Sequence, residues 1–377
     1  MSTFRMALAG SVLWIGAAAF AFAAEGVPAA SGLTVHEWGT FTSVAGPEGA
    51  PVTWTVLGGA TDLPCFVQRL GPVAIKSGPT TVRMETPVLY FYAPSRMKVS
   101  AHVQFNRGMI TEWYPQAAGQ VMSAAQWGPF EVLPGASGGL PSSSAPSHYF
   151  AARETDAALL QVGDQREKMI FYRGAGSPDV PLRPTFLRDG RLQLRNTGAE
   201  TIAFAVVFEN RGGKTGYRIV RGLEKEAVVD LPALGAPSPA LHDALAAALT
   251  DAGLFPKEAR AMLATWRDSW FEQGTRIFYV LPRAAVDRAL ALHVSPEPRE
   301  TARVFVGRVE VLAPAERAEI LTALAATDTH KLASYGRFLD AYIRLFNGSA
   351  FPLATQQFLD AQYARAQQEY LHPACSQ

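Results

Sequence analysis

Met97-Lys98-Val99-Ser100-Ala101-His102-Val103-Gln104-Phe105 alternates apolar and polar residues over nine positions. Successive side chains of an extended chain point to opposite faces, so this stretch reads as a half-buried strand, with His102 on the polar face beside Lys98, Ser100 and Gln104. Asn106-Arg107-Gly108 supplies a turn, and Met109 to Trp113 reads as the returning strand of a hairpin. The same character extends outward in both directions. From Leu33 to about Pro134 the chain is rich in Val, Thr, Phe, Tyr and Trp, is punctuated by Gly and Pro, and shows no sustained helical periodicity. An N-terminal antiparallel β-rich region over 24–133 is the expectation.

Residues 134–147 are Gly-, Ser- and Pro-rich and cannot bury apolar surface, so they predict a flexible linker or loop. Short strand candidates follow at 158–162, 168–172, 191–195, 201–208 and 217–220. The turns between them suggest an antiparallel immunoglobulin-like sandwich over 148–232, without the Cys and Trp hallmarks of antibody domains. After Pro232 the composition turns alanine-rich. Ser238-Pro239 and Pro256 open helices, and the second places Ala259, Met262, Leu263, Trp266 and Trp270 on one face. Strands at 276–281 and 303–312 flank a short helix at 284–290. Helices at 314–326, 331–346 and 353–370 complete a mostly helical α+β region over 233–377. The fold class is therefore multidomain β plus α+β, as suits a chain longer than one core usually organises.

The chain has 377 residues, with 34 Lys+Arg against 33 Asp+Glu. Arg5 precedes an uncharged apolar stretch from Met6 to Ala24, and Ala21-Phe22-Ala23 satisfies the small-x-small rule, so 1–23 reads as a signal peptide. A retained anchor is the competing reading, because 19 uncharged residues just span a bilayer. Export to the periplasm or the medium is expected. Removal of Arg5 balances the charge at 33 against 33, which excludes capture of nucleic acid by bulk charge. No later segment has the length and hydropathy of a membrane span. Only Cys65 and Cys375 are available for a disulfide in an oxidising compartment, and two cysteines so placed make neither a zinc site nor a CxxC motif.

There is no GxGxxG, complete Walker A loop, HExxH, GxSxG elbow or EF-hand loop, so no cofactor is called for. Gly213-Lys214-Thr215 matches only the tail of a Walker A loop and reads as a hairpin turn. The polar cluster that stands out is His36-Glu37-Trp38-Gly39-Thr40-Phe41-Thr42, accompanied by Arg83-Met84-Glu85-Thr86-Pro87 and Thr111-Glu112-Trp113-Tyr114-Pro115. Were these neighbouring strands, Glu37, Glu85 and Glu112 would line one cleft with His36 and Arg83. Paired carboxylates perform acid-base chemistry when their environments separate their pKa values. Trp38, Trp113 and Tyr114 would offer platforms to a sugar or other amphipathic ligand. Glu37, Glu85 and His36 could alternatively ligate a metal, but their spacing is not diagnostic and no metal is assigned. The competing structural reading pairs Arg83 with a glutamate and packs the tryptophans into the core.

Trp266-Arg267-Asp268-Ser269-Trp270-Phe271-Glu272 reads as core packing, with Asp268 and Glu272 opposite the buried tryptophans and Phe271 as a contact between domains. His148, His242, His293, His330 and His372 show no metal-ligand spacing and read as surface or capping residues. The segments His36 to Thr42, Phe171-Tyr172-Arg173-Gly174 and Asp268 to Glu272 together resemble exported bacterial proteins of unknown function. That resemblance implies one recurring architecture and brings no activity or catalytic residue with it. The expected function is an exported protein that binds a small molecule, glycan or envelope partner through its β-rich half. The alternative is a hydrolase of extracellular glycan or other polymer that uses two of Glu37, Glu85 and Glu112.

Overall fold

The computed structural model describes residues 32–55, 63–71, 80–144, 146–236, 239–346 and 351–371. The expected signal peptide therefore lies outside the described residues, as do Ser238 and Cys375.

A nine-stranded sheet runs through the molecule. Its strands, in spatial order, are β14 (Lys214–Leu223), β13 (Ile202–Arg211), β16 (Gly274–Val280), β18 (Glu300–Val311), β1 (Thr34–Val44), β3 (Val82–Tyr92), β10 (Ile170–Gly176), β5 (Gly108–Tyr114) and β2 (Gln68–Arg69). The β1–β18 pair is parallel and the rest of the ladder antiparallel. A second sheet orders β17 (Leu290–Ser295), β4 (Met97–Phe105), β7 (Ala124–Leu133), β8 (Leu159–Val162) and β9 (Gln165–Glu167), with β6 (Gly119–Val121) also on β7. A third contains β11 (Leu182–Phe186), β12 (Leu192–Asn196) and β15 (Glu226–Val229).

The nine-stranded sheet has two buried faces. On its sandwich face, Val35, Phe41, Phe91, Tyr172 and Phe305 pack against Val103, Phe105 and Trp127 of the second sheet and Leu182 and Leu194 of the third. On its helical face, Trp38, Tyr90, Phe278 and Val304 meet helices α1 (Ala240–Asp251) and α2 (Pro256–Trp270) through Leu245, Met262, Trp266 and Trp270. Farther along that face, Val44, Met109 and Ala175 meet the C-terminal helices. After α3 (Arg283–Ala289) these are α4 (Pro314–Ala326), α5 (Thr329–Ala333), α6 (Leu339–Arg344) and α7 (Leu353–Leu371). Among the described residues, no helix is long and apolar enough to cross a membrane.

The molecule is β-rich, with its helices concentrated toward the C-terminus, as expected. The alternating stretch is strand β4, with His102, Ser100 and Lys98 on its less buried side. Its partner differs from expectation. The turn at Asn106-Arg107 does not close a hairpin, because β4 pairs with β17 and β7 while β5 pairs with β10 and β2. The chain changes sheets there, at a corner so tight that a Cβ on Gly108 would lie 2.5 Å from the Phe105 ring. Alternation states that one face is buried, and it is silent about which strand lies alongside.

The strands of 148–232 likewise do not form a self-contained immunoglobulin-like sandwich. Strands β8 and β9 extend the second sheet, β10 inserts between β3 and β5, and β13 and β14 edge the large sheet beside β16. One sheet thus draws strands from all three segments that composition separates. The helix expected at 331–346 is interrupted: Gly336 takes φ +52°, and a 3-10 turn at Gly336–Phe338 separates α5 from α6.

Candidate functional site

Strand β1 is buried along its whole length, so its polar residues must find partners on one face or the other. Glu37 points to the sandwich face. Arg303 donates from Nε to Glu37 Oε2 at 2.5 Å and from Nη1 to Asp287 at 2.6 Å, and the Tyr172 hydroxyl donates to Glu37 Oε1. Burial and then the Glu37 charge raise the Tyr172 phenol well above its usual range, so it stays a neutral donor. Glu37 is fully enclosed by these groups.

His36 and Trp38 point to the helical face, under α2. His36 Nδ1 lies 2.8 Å from Glu258 Oε2, a carboxylate that also accepts from the Phe255 backbone N–H at 2.7 Å and, through Oε1, from the Tyr92 hydroxyl at 2.8 Å. This Glu258 cap fixes the start of α2 and the His36 ring together. Trp38 is fully buried with its ring 6.4 Å from that of Tyr90. Trp113 belongs to the sandwich core, and Tyr114 packs 4.7 Å from the Phe66 ring on the helical side. The three aromatics expected to form ligand platforms are therefore core residues on two sides of a sheet.

Between the two apolar patches of the helical face runs a band of charge. Arg276 holds Glu310 from Nε at 3.0 Å, and its Nη groups donate to the carbonyls of Trp270, at 2.9 Å, and Gln273, at 2.7 Å, placing a cation at the C-terminus of α2. Arg308 donates from Nε to Glu310 at 2.7 Å and from Nη2 to Glu272 at 2.5 Å. Two guanidinium groups lie over the Phe338 ring, Arg308 at 5.0 Å and Arg337 at 4.9 Å from its centroid. Arg337 reaches on to Glu85, which also accepts from Thr42 at 3.0 Å and lies 3.7 Å from Arg83. Glu112 sits in register between Arg173 on one neighbouring strand and Arg69 on the other, and accepts from Thr111.

Among the described residues the band thus holds six guanidinium groups (Arg69, Arg83, Arg173, Arg276, Arg308, Arg337) and five carboxyl groups (Glu85, Glu112, Glu272, Glu310, Glu316). At the Glu85–Glu112 end four of these arginines, Arg69, Arg83, Arg173 and Arg337, gather around two carboxylates, and Arg83 and Arg173 have further partners besides. Burial, offset in part by Glu112 and Glu85, lowers the Arg83 guanidinium below its usual range, and the neighbouring Arg173 and Arg337 charges lower it further. Burial likewise lowers Arg69, with Arg173 adding to the effect against Glu112 and Tyr370. Nε and Nη2 of Arg69, and Oε1 of Glu112, are buried without a hydrogen-bond partner. Thr86, beside Glu85, takes φ +48°, a strained conformation for a β-branched residue, and its hydroxyl accepts from Arg173 at 3.3 and 3.4 Å. The band reaches the surface where Arg337 retains 22% of its side-chain exposure.

Of the eight residues singled out in the sequence, the fold brings Arg83, Glu85 and Glu112 together; it puts Glu37 on the opposite face and His36 under α2. The three glutamates do not share one cleft. Arg69, Arg173, Arg308 and Arg337 escaped notice. Arg308 carried a signal, since it and Glu310 share one face with Val304 and Val306 in the apolar second half of β18. Arg173 lay inside the Phe171 to Gly174 segment, and Glu272 in the Asp268 to Glu272 segment. Among the described residues, no group of three or more His, Cys, Asp or Glu side chains is placed to hold a metal. Cys65 is disulfide-bonded; Cys375, the partner the sequence offers, lies outside the described residues.

No protein-family model matches the chain, and no curated protein matches it. Among solved structures it is similar to the yeast delta-COP-I mu-homology domain at 8% identity and a TM-score of 0.28, with 76% of this chain and 97% of that one covered. A likeness of that degree carries no argument.

Proposed function

We propose that this is an exported binding protein, periplasmic or secreted, that captures a small dianionic ligand at the arginine band on the helical face of its central sheet. The observation that carries the reading is Arg69, whose Nε and Nη2 are buried without an acceptor in the arginine cluster around Glu85 and Glu112. Like charges withdrawn from water repel strongly unless an anion compensates them, and guanidinium forks match carboxylate and phosphate oxygens. Export rests on the Arg5 to Ala24 segment of the sequence.

Capture at this end of the band is favoured over hydrolysis by the state of Glu85; the buried carboxyl raised toward an acid's range, Glu316 at about 7, lies at the other end, beside Glu310 and Arg276. A glycosidase pair needs one carboxyl whose pKa is raised so that it can serve as an acid. Burial alone raises Glu85, but Arg337, Arg83 and Arg308 outweigh it and hold the group down at about 2. A carboxylate held so firmly ionised serves to position guanidinium groups.

Thermal unfolding in the presence of phosphate, a phosphate monoester and a dicarboxylate tests the reading. A dianion at a hundredfold excess over its Kd should stabilise the protein by about 2.7 kcal/mol. The variants Arg69→Gln and Arg337→Gln should lose that response. Identical curves with and without every anion would sink the proposal.

A further inference from the structure

A second site stands apart from the arginine band, on the far side of β1. One wall of a cavity of about 500 Å³ is formed by four consecutive residues, Ala291 to Val294 of β17. Alternate side chains of a strand point to opposite faces, so four in a row border a single space only along the strand's edge, where backbone N–H and C=O groups project. Strand β17 is the terminal strand of its sheet and pairs with β4 alone among the described strands.

The rest of the lining is Thr301 and Arg303 of β18, Arg283 and Asp287 of α3, and Glu297 and Pro298. At this end β18 has β1 on one side only, because β16 pairs with it from Val306 onward. Arg283 of α3 donates from Nη1 to the Thr301 carbonyl at 3.0 Å, which takes up a backbone acceptor that would otherwise face the cavity. Arg303 is 6% exposed, and two of its nitrogens are committed to Glu37 and Asp287. Its Nη2 is buried without a hydrogen-bond partner. A buried guanidinium donor lacking an acceptor is costly, and a carboxylate is the group whose geometry completes the fork.

We propose that this cavity receives the C-terminal end of an extended peptide, which adds as a strand along the outer edge of β17 and delivers its terminal carboxylate to Arg303 Nη2. Main-chain hydrogen bonds of an added strand supply affinity with little demand on sequence, and the carboxylate contact supplies direction. The volume is that of a small-ligand site, which suits the last few residues of a peptide and excludes a long strand. Arg283, held by Asp287 at 2.8 Å, brings a second guanidinium to the same wall.

The test is fluorescence anisotropy of the full chain with three labelled peptides of about six alternating Val and Thr residues: one with a free C-terminal carboxylate, one amidated, and one N-methylated at alternate amides. The free-carboxylate peptide should bind saturably. Amidation should weaken it about tenfold or more, the loss of one charge-assisted hydrogen bond, and N-methylation should abolish binding. Arg303→Lys retains the charge beside Glu37 and removes the fork, so it should bind the free-carboxylate and amidated peptides equally. Should that variant not fold, the peptide series on the unaltered protein decides. Absence of saturable binding up to millimolar peptide, or equal binding of the N-methylated peptide, overturns the proposal. So does competition by N-acetylglycine at the concentration at which the free peptide competes, since that places a small carboxylate in the cavity without a strand.

Discussion

On the sandwich face of β1, Glu37 meets one arginine that a second carboxylate helps to hold, and a phenol completes its shell. On the helical face, Glu85 and Glu112 lie among four arginines. The two charge systems are separated by the thickness of a sheet and share its burial, yet differ in balance. A matched buried pair is weak evidence for anything beyond architecture, because its Coulomb gain is largely consumed by desolvation. A buried guanidinium donor without an acceptor, as at Arg69, is different, since a ligand of opposite charge can supply the acceptor. Burial and charge are common to both faces, and on each a guanidinium donor without an acceptor, Arg69 on the helical face and Arg303 on the sandwich face, marks where a ligand would enter.

The comparison breaks most visibly if the sandwich face proves dispensable. Glu37→Ala leaves Arg303 buried without its main partner and should destabilise the protein by about 3 to 5 kcal/mol in urea unfolding, while Glu37→Leu combined with Arg303→Met should recover most of the loss. A cost below about 1 kcal/mol for the single change, typical of an exposed pair, would remove the contrast.

A somewhat smaller effect should appear on the helical face through pH. Glu85 has its carboxyl lowered from 4.5 to about 2 in the folded protein. A depressed carboxylate stabilises the fold above its unfolded pKa, and that contribution fades as pH falls through the folded value. Stability should therefore decline between about pH 4.5 and 2, by about 3 kcal/mol from this group. Glu85→Gln should lose a similar amount at neutral pH and flatten the acid limb of a stability-pH curve. An unchanged limb would show that the arginines do not act on Glu85.

Next in size is the bulge that aims Arg173. A Cβ on Gly174 would lie 2.5 Å from the Met109 carbonyl oxygen and 2.7 Å from Met84 Cε. Gly174→Ala should cost about 1 to 3 kcal/mol by overpacking, and should weaken anion binding as Arg173 is displaced. Full stability with lost binding would sharpen the comparison further. The smallest expected effect is on stability in Arg69→Gln: by relieving repulsion it should change the unfolding free energy by less than about 1 kcal/mol without added anion, in contrast to its loss of ligand response. A large destabilisation would assign Arg69 to the architecture.

Much of the local structure was legible. Strand β4 and the apolar face of α2 with Met262, Trp266 and Trp270 follow from periodicity, because burial on one side leaves a repeat of two or 3.6 residues in the chain; β16 and β18, buried on both faces, carry no such repeat. The site was legible only in part. Arg83, Glu85 and Glu112 stood out as charges among β-branched and aromatic residues, whereas Arg337 sits in a 3-10 turn that Gly336 inserts into a helical pattern, where a charged residue attracts no attention. Glu37 attracted the same notice as Glu85, and its parity in β1 set it on the other face.

The sequence by itself determined that the chain is β-rich with its helices toward the C-terminus, and which face strand β4 and helix α2 must bury. Those properties depend on contacts within a few residues, which the chain carries wherever it goes. The tertiary structure alone decided that consecutive strands β4 and β5 enter different sheets, that a single sheet collects strands from every part of the chain, and which arginine meets which carboxylate. The Glu37–Arg303 and Glu85–Arg337 partners lie 266 and 252 residues apart. No periodicity reaches across such distances, and the pairing is settled by the global packing that brings both ends of the chain to one sheet.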